Sequence, residues 1–192
     1  MRCFLAIALP PAVRQHLASL QERLRRARAS VSWPRAENLH LTLRFLGETS
    51  EEQATAVSDI LVPALAACIR PQLAVRGVGA FPRLDRPSVI WTGVETPGAA
   101  LAAIQAHCEE AARTAGSKAE KKPFAAHITL GRVRDQRRLR ELVRCLRGEH
   151  DFSAGEFAPV AVTLFESDLT PGGALYTPLR EFPLYAASDD PE

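Results

Sequence analysis

The sequence predicts an α+β fold of two αβ lobes, related by a pseudo-twofold axis, with mainly antiparallel sheets facing a central cleft and helices outside. Short strand-like runs alternate with amphipathic helical segments along the chain. The order strand, helix, strand, helix, strand occurs over about residues 2–80 and again over about 88–184, where a final strand is added. We therefore expect one bilobal domain over residues 1–192, with a frayed tail at 188–192.

The first half of the chain contains two strand patterns, each followed by a helix. Residues 2–9 form an apolar run that Pro10 and Pro11 stop, and a helix then carries apolar residues at helical spacing: Val13, Leu17, Leu20 and Leu24. Residues 39–46 alternate with period two and end at Gly47. Thr49 or Ser50 is expected to cap the next helix, which Pro63 should kink or end early.

The second half repeats this order. The expected elements are strands at 72–80 and 88–95, a helix at 98–115, a strand at 125–131, an arginine-rich helix at 136–147, and a closing hairpin of strands 159–168 and 174–184 that turns at 171–173. Phe4 precedes His40 by about as many positions as Ile90 precedes His127. The spacing supports an internal repeat.

Composition is that of an ordinary globular protein. The 192 residues are 46% hydrophobic, and the net charge of +2 does not by itself require a nucleic-acid partner. No apolar run is long enough to span a membrane, and the N-terminal run is a strand rather than a secretion signal. The four cysteines have no CxxC spacing, which favours free thiols and a cytoplasmic location. We expect a monomer.

Two tetrapeptides, His40-Leu41-Thr42-Leu43 and His127-Ile128-Thr129-Leu130, occupy equivalent positions in the two repeats. Chance pairing of five histidines with ten threonines would give fewer than one His-x-Thr in a chain of this length. In a strand, residues i and i+2 point to the same face. If the lobes pack sheet face against sheet face, two imidazoles and two hydroxyls line one cleft.

These residue types suit acid–base chemistry on a phosphate. Histidine titrates near neutrality and can serve as proton donor or acceptor. Hydroxyl groups and an arginine can stabilise phosphoryl charge. Arg44 shares the parity of Thr42 and is a candidate for the cleft, whereas Arg132 would reach it only if a bulge redirects the strand. Threonine is a poor zinc ligand and the motifs contain no third ligand, so no metal and no cofactor are expected.

The chain resembles the 2H phosphoesterase superfamily, and within it the RNA 2′,3′-cyclic phosphodiesterases once called 2′-5′ RNA ligases. The resemblance covers nearly the whole chain and includes the two motifs, the opening Arg-Cys-Phe-Leu-Ala-Ile-Ala-Leu-Pro and Val-Ile-Trp-Thr-Gly-Val at 89–94. It implies hydrolysis of an RNA 2′,3′-cyclic phosphate end to a 2′-phosphate. It further implies that His40 is the acid and His127 the base, and that Thr42 and Thr129 bind phosphate. The symmetry of the motifs alone does not assign these roles.

Two other functions remain open at this stage: a 2′-5′ RNA ligase working in the reverse direction, and a non-catalytic module that binds RNA ends. The arginines after the second motif would suit RNA phosphates but equally a solvated helix face. Phe124 could stack on a base, and Lys118, Lys121 and Lys122 could form a lid near His127.

Overall fold

The computed structural model describes residues 1–137, 139–171 and 173–186. The predicted α+β class with mainly antiparallel strands is confirmed, since every pairing between named strands is antiparallel. The expected frayed tail at 188–192 and the middle of the expected turn at 171–173 lie outside the described residues.

The described residues form four α-helices, one short 3₁₀ helix and nine strands. The strands are β1 (Arg2–Ala8), β2 (Val31–Ser32), β3 (His40–Glu48), β4 (Leu73–Arg83), β5 (Arg86–Glu95), β6 (His127–Val133), β7 (Ser153–Phe157), β8 (Ala161–Thr170) and β9 (Gly173–Pro183). The helices are α1 (Pro11–Arg25), α2 (Glu51–Ala66), α3 (Ala100–Thr114) and α4 (Leu139–Gly148), and the 3₁₀ helix is Ala36–Asn38.

The first two helices begin as the sequence indicates, but α2 ends later. Pro11 occupies the first turn of α1, where its missing N–H needs no partner. The Ser50 hydroxyl accepts from the Gln53 backbone N–H and the Gln53 side chain accepts from the Ser50 N–H, so the two residues form a capping box. Pro63 lies inside α2 and does not end it, because the helix continues to Ala66. The expectation of an early end was wrong.

The nine strands form one curled sheet. Its order is β7-β4-β5-β6-β3-β1-β8-β9, with β2 added beside β6. The two groups of strands, β7-β4-β5-β6 and β3-β1-β8-β9, are here called the second and first lobe. They join edge to edge where Leu41 of β3 pairs with Ile128 of β6. The motifs therefore meet side by side along one sheet rather than face against face, because backbone pairing connects their strands.

Each lobe is completed by a strand from the other half of the chain. β4 follows the first motif along the sequence, yet it pairs with β5 and β7 of the second lobe. β8 follows the second motif, yet it pairs with β1 of the first lobe. The lobes are therefore not contiguous stretches of sequence, and β4 and β8 cross between them.

The helices lie outside the sheet, as the sequence predicts, and bury their apolar stripes against it. Leu17 and Leu20 of α1, Leu61 of α2, Ile104 of α3 and Leu146 of α4 are fully buried in one hydrophobic core. This core also contains Leu41 and Ile128, whose side chains point away from the motif histidines. None of the helices in the described part of the chain is long and apolar enough to cross a bilayer.

Three short elements had no clear sequence signal: β2, the 3₁₀ helix and β7. Strand β2 pairs with β6 beyond the point where β3 leaves it, through Val31 and Val133. Residues 31–38 thus occupy the gap that opens between the two motif strands. They supply one wall of the cavity described next.

Candidate active site

The register between β3 and β6 brings the two motifs together. Because Leu41 is opposite Ile128 in an antiparallel pair, His40 is beside Thr129 and Thr42 is beside His127. All four neighbours of the Leu41–Ile128 pair point to the face opposite the core. Each histidine is therefore next to the threonine of the other motif.

Both imidazoles are held in the same way. Nδ1 of His40 lies 2.8 Å from the carbonyl oxygen of Asn38, and Nδ1 of His127 lies 2.7 Å from that of Ala125. A carbonyl oxygen only accepts, so Nδ1 carries the hydrogen in each ring. This leaves Nε2 of both rings free to take or give a proton.

The surroundings of His40 are aromatic. Its ring centroid lies 4.8 Å from that of Phe4 and 5.3 Å from that of Tyr176, which meets it edge-on. Burial beside these rings lowers the pKa of His40, and the hydrogen bond to the Asn38 carbonyl opposes this effect without reversing it. The neutral imidazole is thus the favoured form in the free protein.

Asn38, whose carbonyl accepts the hydrogen bond from the His40 ring, is itself held by a second hydrogen bond. The side-chain Nδ2 of Asn38 donates to the carbonyl of Ala174, at 2.7 Å. Asn38 therefore links β9 to the His40 ring, since its side chain is anchored on β9 and its carbonyl receives the Nδ1 hydrogen.

His127 is surrounded by different aromatic residues. Phe81 of β4 meets its ring edge-on at 5.1 Å, and Trp91 of β5 lies 6.4 Å from it. The hydrogen bond to Ala125 is solvent-exposed. The crossing strand β4 thus contributes Phe81 to the surroundings of the second-motif histidine.

A β-bulge at the last residue of each motif decides where the two candidate arginines point. Opposite β1, Arg44 pairs with Leu5 and Thr42 with Ala6, so Leu43 is the extra residue. Opposite β5, Gly131 pairs with Ile90 and Thr129 with Trp91, so Leu130 is the extra residue. Each bulge reverses the alternation of side chains between the two faces of the sheet. As a result, Arg44 is turned away from the cleft and Arg132 is turned towards it.

Arg44 turns away from the cleft, and the expectation that it faces Thr42 was wrong. Its side chain is only 6% exposed and forms an ion pair with Glu109 of α3. It also donates hydrogen bonds to the carbonyls of Phe45 and Lys118. The bulge at Leu43 places the guanidinium on the helix side of the sheet, where it ties β3 to α3 and to the loop before β6.

Arg132 is turned towards the cleft by the bulge at Leu130. It lines the same cavity as Thr129. Burial raises the pKa of Tyr176, and the positive charge of Arg132 opposes that rise, so the two side chains interact electrostatically across the cavity. Arg132 lies where a phosphate beside Thr129 would need a cation.

A cavity of about 680 Å³ opens beside His40. Its wall includes His40, Thr42 and Thr129, and none of the described residues that line it is acidic. Four of the described arginines line the cavity: Arg2, Arg35, Arg132 and Arg134. Four described aromatic residues also line it: Phe4, Trp33, Phe45 and Tyr176. His127 is not part of its wall. The cavity therefore extends from the first-motif histidine and leaves the second at its edge.

Sequence reasoning missed most of this wall. Trp33 and Arg35 lie in the segment between β2 and the 3₁₀ helix, and Tyr176 lies on β9, far from either motif in sequence. No spacing rule connects them to His40. Arg134 had a usable signal, because it follows Arg132 by two positions at the end of the strand of the second motif.

Other sequence-based candidates lie elsewhere. Three arginines of the arginine-rich helix, whose sequence suits either a solvated face or an RNA contact, line a separate depression of about 370 Å³ near Asp85: Arg140, Arg144 and Arg147. Arg138 lies outside the described residues. Phe124 packs against the hydrophobic core, and Lys118 contributes its carbonyl to Arg44. A role of these residues in binding RNA stays a prediction.

A cysteine, Cys3, lies in the wall of the cavity. Burial raises the pKa of the Cys3 thiol, which lines the cavity, so this thiol is a poor nucleophile at neutral pH. Among the residues the structure describes, no three histidine, cysteine or acidic side chains are grouped to hold a metal ion. The two imidazoles and two hydroxyls of the motifs lie on one face of the sheet, and the bulge at Leu130 turns the guanidinium of Arg132 towards the same face.

Comparison with known proteins agrees with this arrangement. A family model described as LigT like Phosphoesterase matches residues 7–91 and 93–176, so one copy covers each motif. An RNA 2′,3′-cyclic phosphodiesterase from Aeropyrum pernix is 36% identical over 86% of this chain and 93% of its own length. One from Methanothermobacter thermautotrophicus is 30% identical over 96% and 99%.

A solved structure has the same fold. E. coli LigT complexed with 3′-AMP superposes with a TM-score of 0.77 at 27% identity, covering 95% of this chain and 97% of that one. The sheet, the paired His-x-Thr strands and the two family-model matches all point the same way: this chain belongs to the LigT-like phosphoesterase family.

Proposed function

We propose that this protein hydrolyses the 2′,3′-cyclic phosphate at the end of an RNA to a 2′-phosphate, by two-histidine acid–base catalysis without a metal. The observation that carries the proposal is the Leu41–Ile128 pairing, which sets both His-x-Thr motifs side by side on one face. Relatives that bear the name RNA 2′,3′-cyclic phosphodiesterase support the substrate class. We expect the enzyme to act as a cytoplasmic monomer with no cofactor.

The reaction needs one proton removed and one supplied. Nε2 of His127 takes a proton from water as the water oxygen forms a bond to phosphorus. The bond from phosphorus to the 3′ oxygen breaks, and Nε2 of His40 gives that oxygen a proton. The phosphate remains on the 2′ oxygen, and the two imidazoles have exchanged protonation states. Proton return through solvent completes the cycle.

Charge on the phosphoryl oxygens must be stabilised while these bonds change. The hydroxyls of Thr42 and Thr129 can each donate one hydrogen bond to those oxygens. Arg132 adds a positive charge next to Thr129. Each of these groups is on a strand or next to a strand bulge, which holds it in position before the substrate binds.

The position of the cavity favours His40 as the acid. The leaving 3′ oxygen belongs to the terminal nucleoside, whereas the attacking water approaches from the opposite side of the phosphorus. A space of about 680 Å³ with aromatic walls lies on the side of His40, and His127 is outside it. A nucleoside fits this side, so the histidine nearest to its 3′ oxygen would be His40.

Substrate binding would also adjust the proton on His40. In the free protein, burial lowers its pKa and favours the neutral ring. An anionic phosphate beside the ring favours the imidazolium instead. Binding of the cyclic phosphate is therefore expected to raise the pKa of His40 and load the acid with its proton.

Two alternatives use the same cleft. A 2′-5′ RNA ligase would open the cyclic phosphate through the same groups, with a 5′-hydroxyl of a second RNA attacking phosphorus in place of water while the 3′ oxygen leaves and takes up a proton. An RNA-end-binding module would need the cavity but not both free Nε2 atoms. The matched hydrogen bonding of the two Nδ1 atoms favours catalysis.

The decisive test uses chelator-treated protein and a short RNA with a 2′,3′-cyclic phosphate. The expected product is a 2′-phosphate, formed at the same rate with or without EDTA. A 3′-phosphate product would show that the 2′ oxygen, and not the 3′ oxygen, is the leaving group. Loss of activity on chelation, restored by zinc or manganese, would refute the metal-free mechanism. Binding without turnover would favour the non-catalytic module.

A further inference from the structure

Arg134, the residue directly after β6, continues a row of cavity-lining groups that begins on the strand of the second motif. Thr129, Arg132 and Arg134 line the cavity, whereas the intervening Val133 does not. Beyond the bulge, alternation that continues one residue past β6 places Arg132 and Arg134 on one face, with their backbones about 6.6 Å apart if the chain stays extended. The Arg134 backbone N–H donates to the Ser30 carbonyl at 2.8 Å, so the chain stays paired with the neighbouring segment at this point.

The charged side chains of this row are basic. Arg132 and Arg134 face a cavity whose described wall contains no carboxylate. Another arginine of the same wall, Arg2, is engaged in an ion pair with Glu48 at 3.5 Å. The reacting phosphate beside Thr129 needs one cation, which Arg132 supplies in the proposed mechanism. Arg134 is thus a cation in the cavity with no part in the cleavage step.

We infer that Arg134 binds the phosphodiester that joins the terminal nucleoside to the preceding nucleotide. The inference rests on the proposed function and makes it more specific. With the cyclic phosphate at Thr129 and the terminal nucleoside in the cavity, that phosphodiester is the next anion along the substrate. The step from Arg132 to Arg134 is comparable to the separation of successive phosphates on a single strand. The enzyme then prefers oligonucleotide ends to mononucleoside cyclic phosphates.

The test compares two substrates that differ in one phosphate: adenosine 2′,3′-cyclic phosphate and the dinucleotide ApA with a 2′,3′-cyclic phosphate end. The wild type is expected to have a kcat/KM about tenfold higher for the dinucleotide, the factor expected for one charge-assisted hydrogen bond at an accessible site. Arg134→Gln should bring the two substrates to within about twofold, through a higher KM for the dinucleotide. Arg134→Lys should keep most of the preference.

Salt dependence provides an independent readout. Arg134→Gln should flatten the fall of kcat/KM with salt for the dinucleotide more than for the mononucleotide. Arg113→Gln, which removes an exposed charge on α3 away from the cavity, is the matched control and should preserve both the preference and the salt slope.

Several outcomes would overturn the inference. These are a wild type without preference for the dinucleotide, an Arg134→Gln variant that loses activity equally on both substrates, and a control variant that loses the preference as well. A reduced preference in Arg2→Gln but not in Arg134→Gln would place the phosphodiester at Arg2 and overturn the inference. A wild type that cleaves neither substrate would contradict the proposed function instead, so the two failures are distinguishable.

Discussion

Leu41 and Ile128 form the backbone pair that joins the two motif strands, and their side chains enter the core while all four of their motif neighbours face the cleft. This single register sets His40 against Thr129 and His127 against Thr42. Slipping it by one residue would turn one motif into the core. The arrangement of the four motif side chains is therefore a property of strand pairing.

The histidine pair should behave as a unit. His40→Ala and His127→Ala are each expected to lower kcat by at least about 10²-fold, the usual range for losing one positioned proton-transfer group. The double variant should be only slightly worse than either single one, because the residues act in one step. Thr42→Val and Thr129→Val should cost less, since each removes one hydrogen bond to phosphate. Steady-state kinetics on a cyclic-phosphate dinucleotide measures all five variants.

The separate roles are tested with an activated substrate. A phosphodiester with a nitrophenolate leaving group needs no proton on departure, so it should rescue His40→Ala but not His127→Ala. Rescue of the His127 variant would exchange the acid and the base. Full activity of either alanine variant on the RNA substrate would contradict the proposed two-histidine mechanism.

Asn38 should act as a positioning residue. Asn38→Ala keeps the backbone carbonyl that receives the His40 hydrogen but removes the side-chain bond to Ala174. We expect kcat to fall about tenfold with little change in KM, because a loosened ring meets the leaving oxygen less often. Asn38→Asp is the isosteric control, and it should lose a similar factor because a carboxylate cannot donate to a carbonyl. Unchanged kcat in both variants would make the bond irrelevant to catalysis.

The titration of His40 should depend on ligand and should influence stability. Burial lowers its pKa below the ordinary 6.5 in the free protein, and inorganic phosphate should raise it, which NMR titration of the ring detects. The unfolded chain takes up a proton near pH 6.5 while the folded ring stays neutral. This group's contribution to stability is therefore complete above about pH 6.5 and is lost as the pH falls through the folded pKa.

His40→Asn isolates that contribution, because asparagine does not titrate. The acid-side fall in the free energy of unfolding should be shallower in this variant than in the wild type, measured by urea unfolding between pH 5 and pH 8 in steps of about half a unit. A His40 pKa above 6.5 in the free protein, or a steeper fall in the variant, would contradict the expectation.

The ion pair of Arg44 and Glu109 should affect stability more than substrate binding. Glu109→Gln leaves a nearly buried guanidinium without its partner and should cost about 2–3 kcal/mol, less than a fully buried pair because Glu109 is partly exposed. Replacing both residues, as in Arg44→Met with Glu109→Leu, should recover most of the loss. Urea unfolding gives the energies. A large increase in KM for Arg44→Met in folded protein would indicate that Arg44 contacts the substrate in the cleft, contrary to its position in the structure.

The sequence predicted the fold and the histidine pair well, because those rest on regular periodicity. Alternation placed Leu41 in the core and His40 and Thr42 on the other face, as the register confirms. The sequence assigned Arg44 to the wrong face of the sheet, because the extra residue Leu43 reverses the alternation of side chains. The residues around Leu43 give no sequence signal for a bulge. The same irregularity at Leu130 turned Arg132 towards the cleft.

The walls of the cavity were beyond prediction for another reason. Tyr176 reaches His40 because β9 pairs with β8 and β8 pairs with β1, which in turn lies beside β3. Trp33 reaches the cavity because residues 31–38 occupy the gap between the motif strands. These contacts depend on sheet order across the whole chain, and periodicity within one segment does not contain that information.

The crossing of β4 and β8 between lobes has a consequence for how the chain can be divided. Cutting the β4–β5 hairpin at its turn would leave β4 without either of its partners, β5 and β7, and would leave β8 paired with β9 but without β1. Neither piece could complete a lobe by itself. Fragments 1–84 and 85–192, expressed separately, should each be poorly structured and should reassemble with activity when mixed, as a split enzyme does. Each half of the chain supplies a strand edge with which the other half pairs.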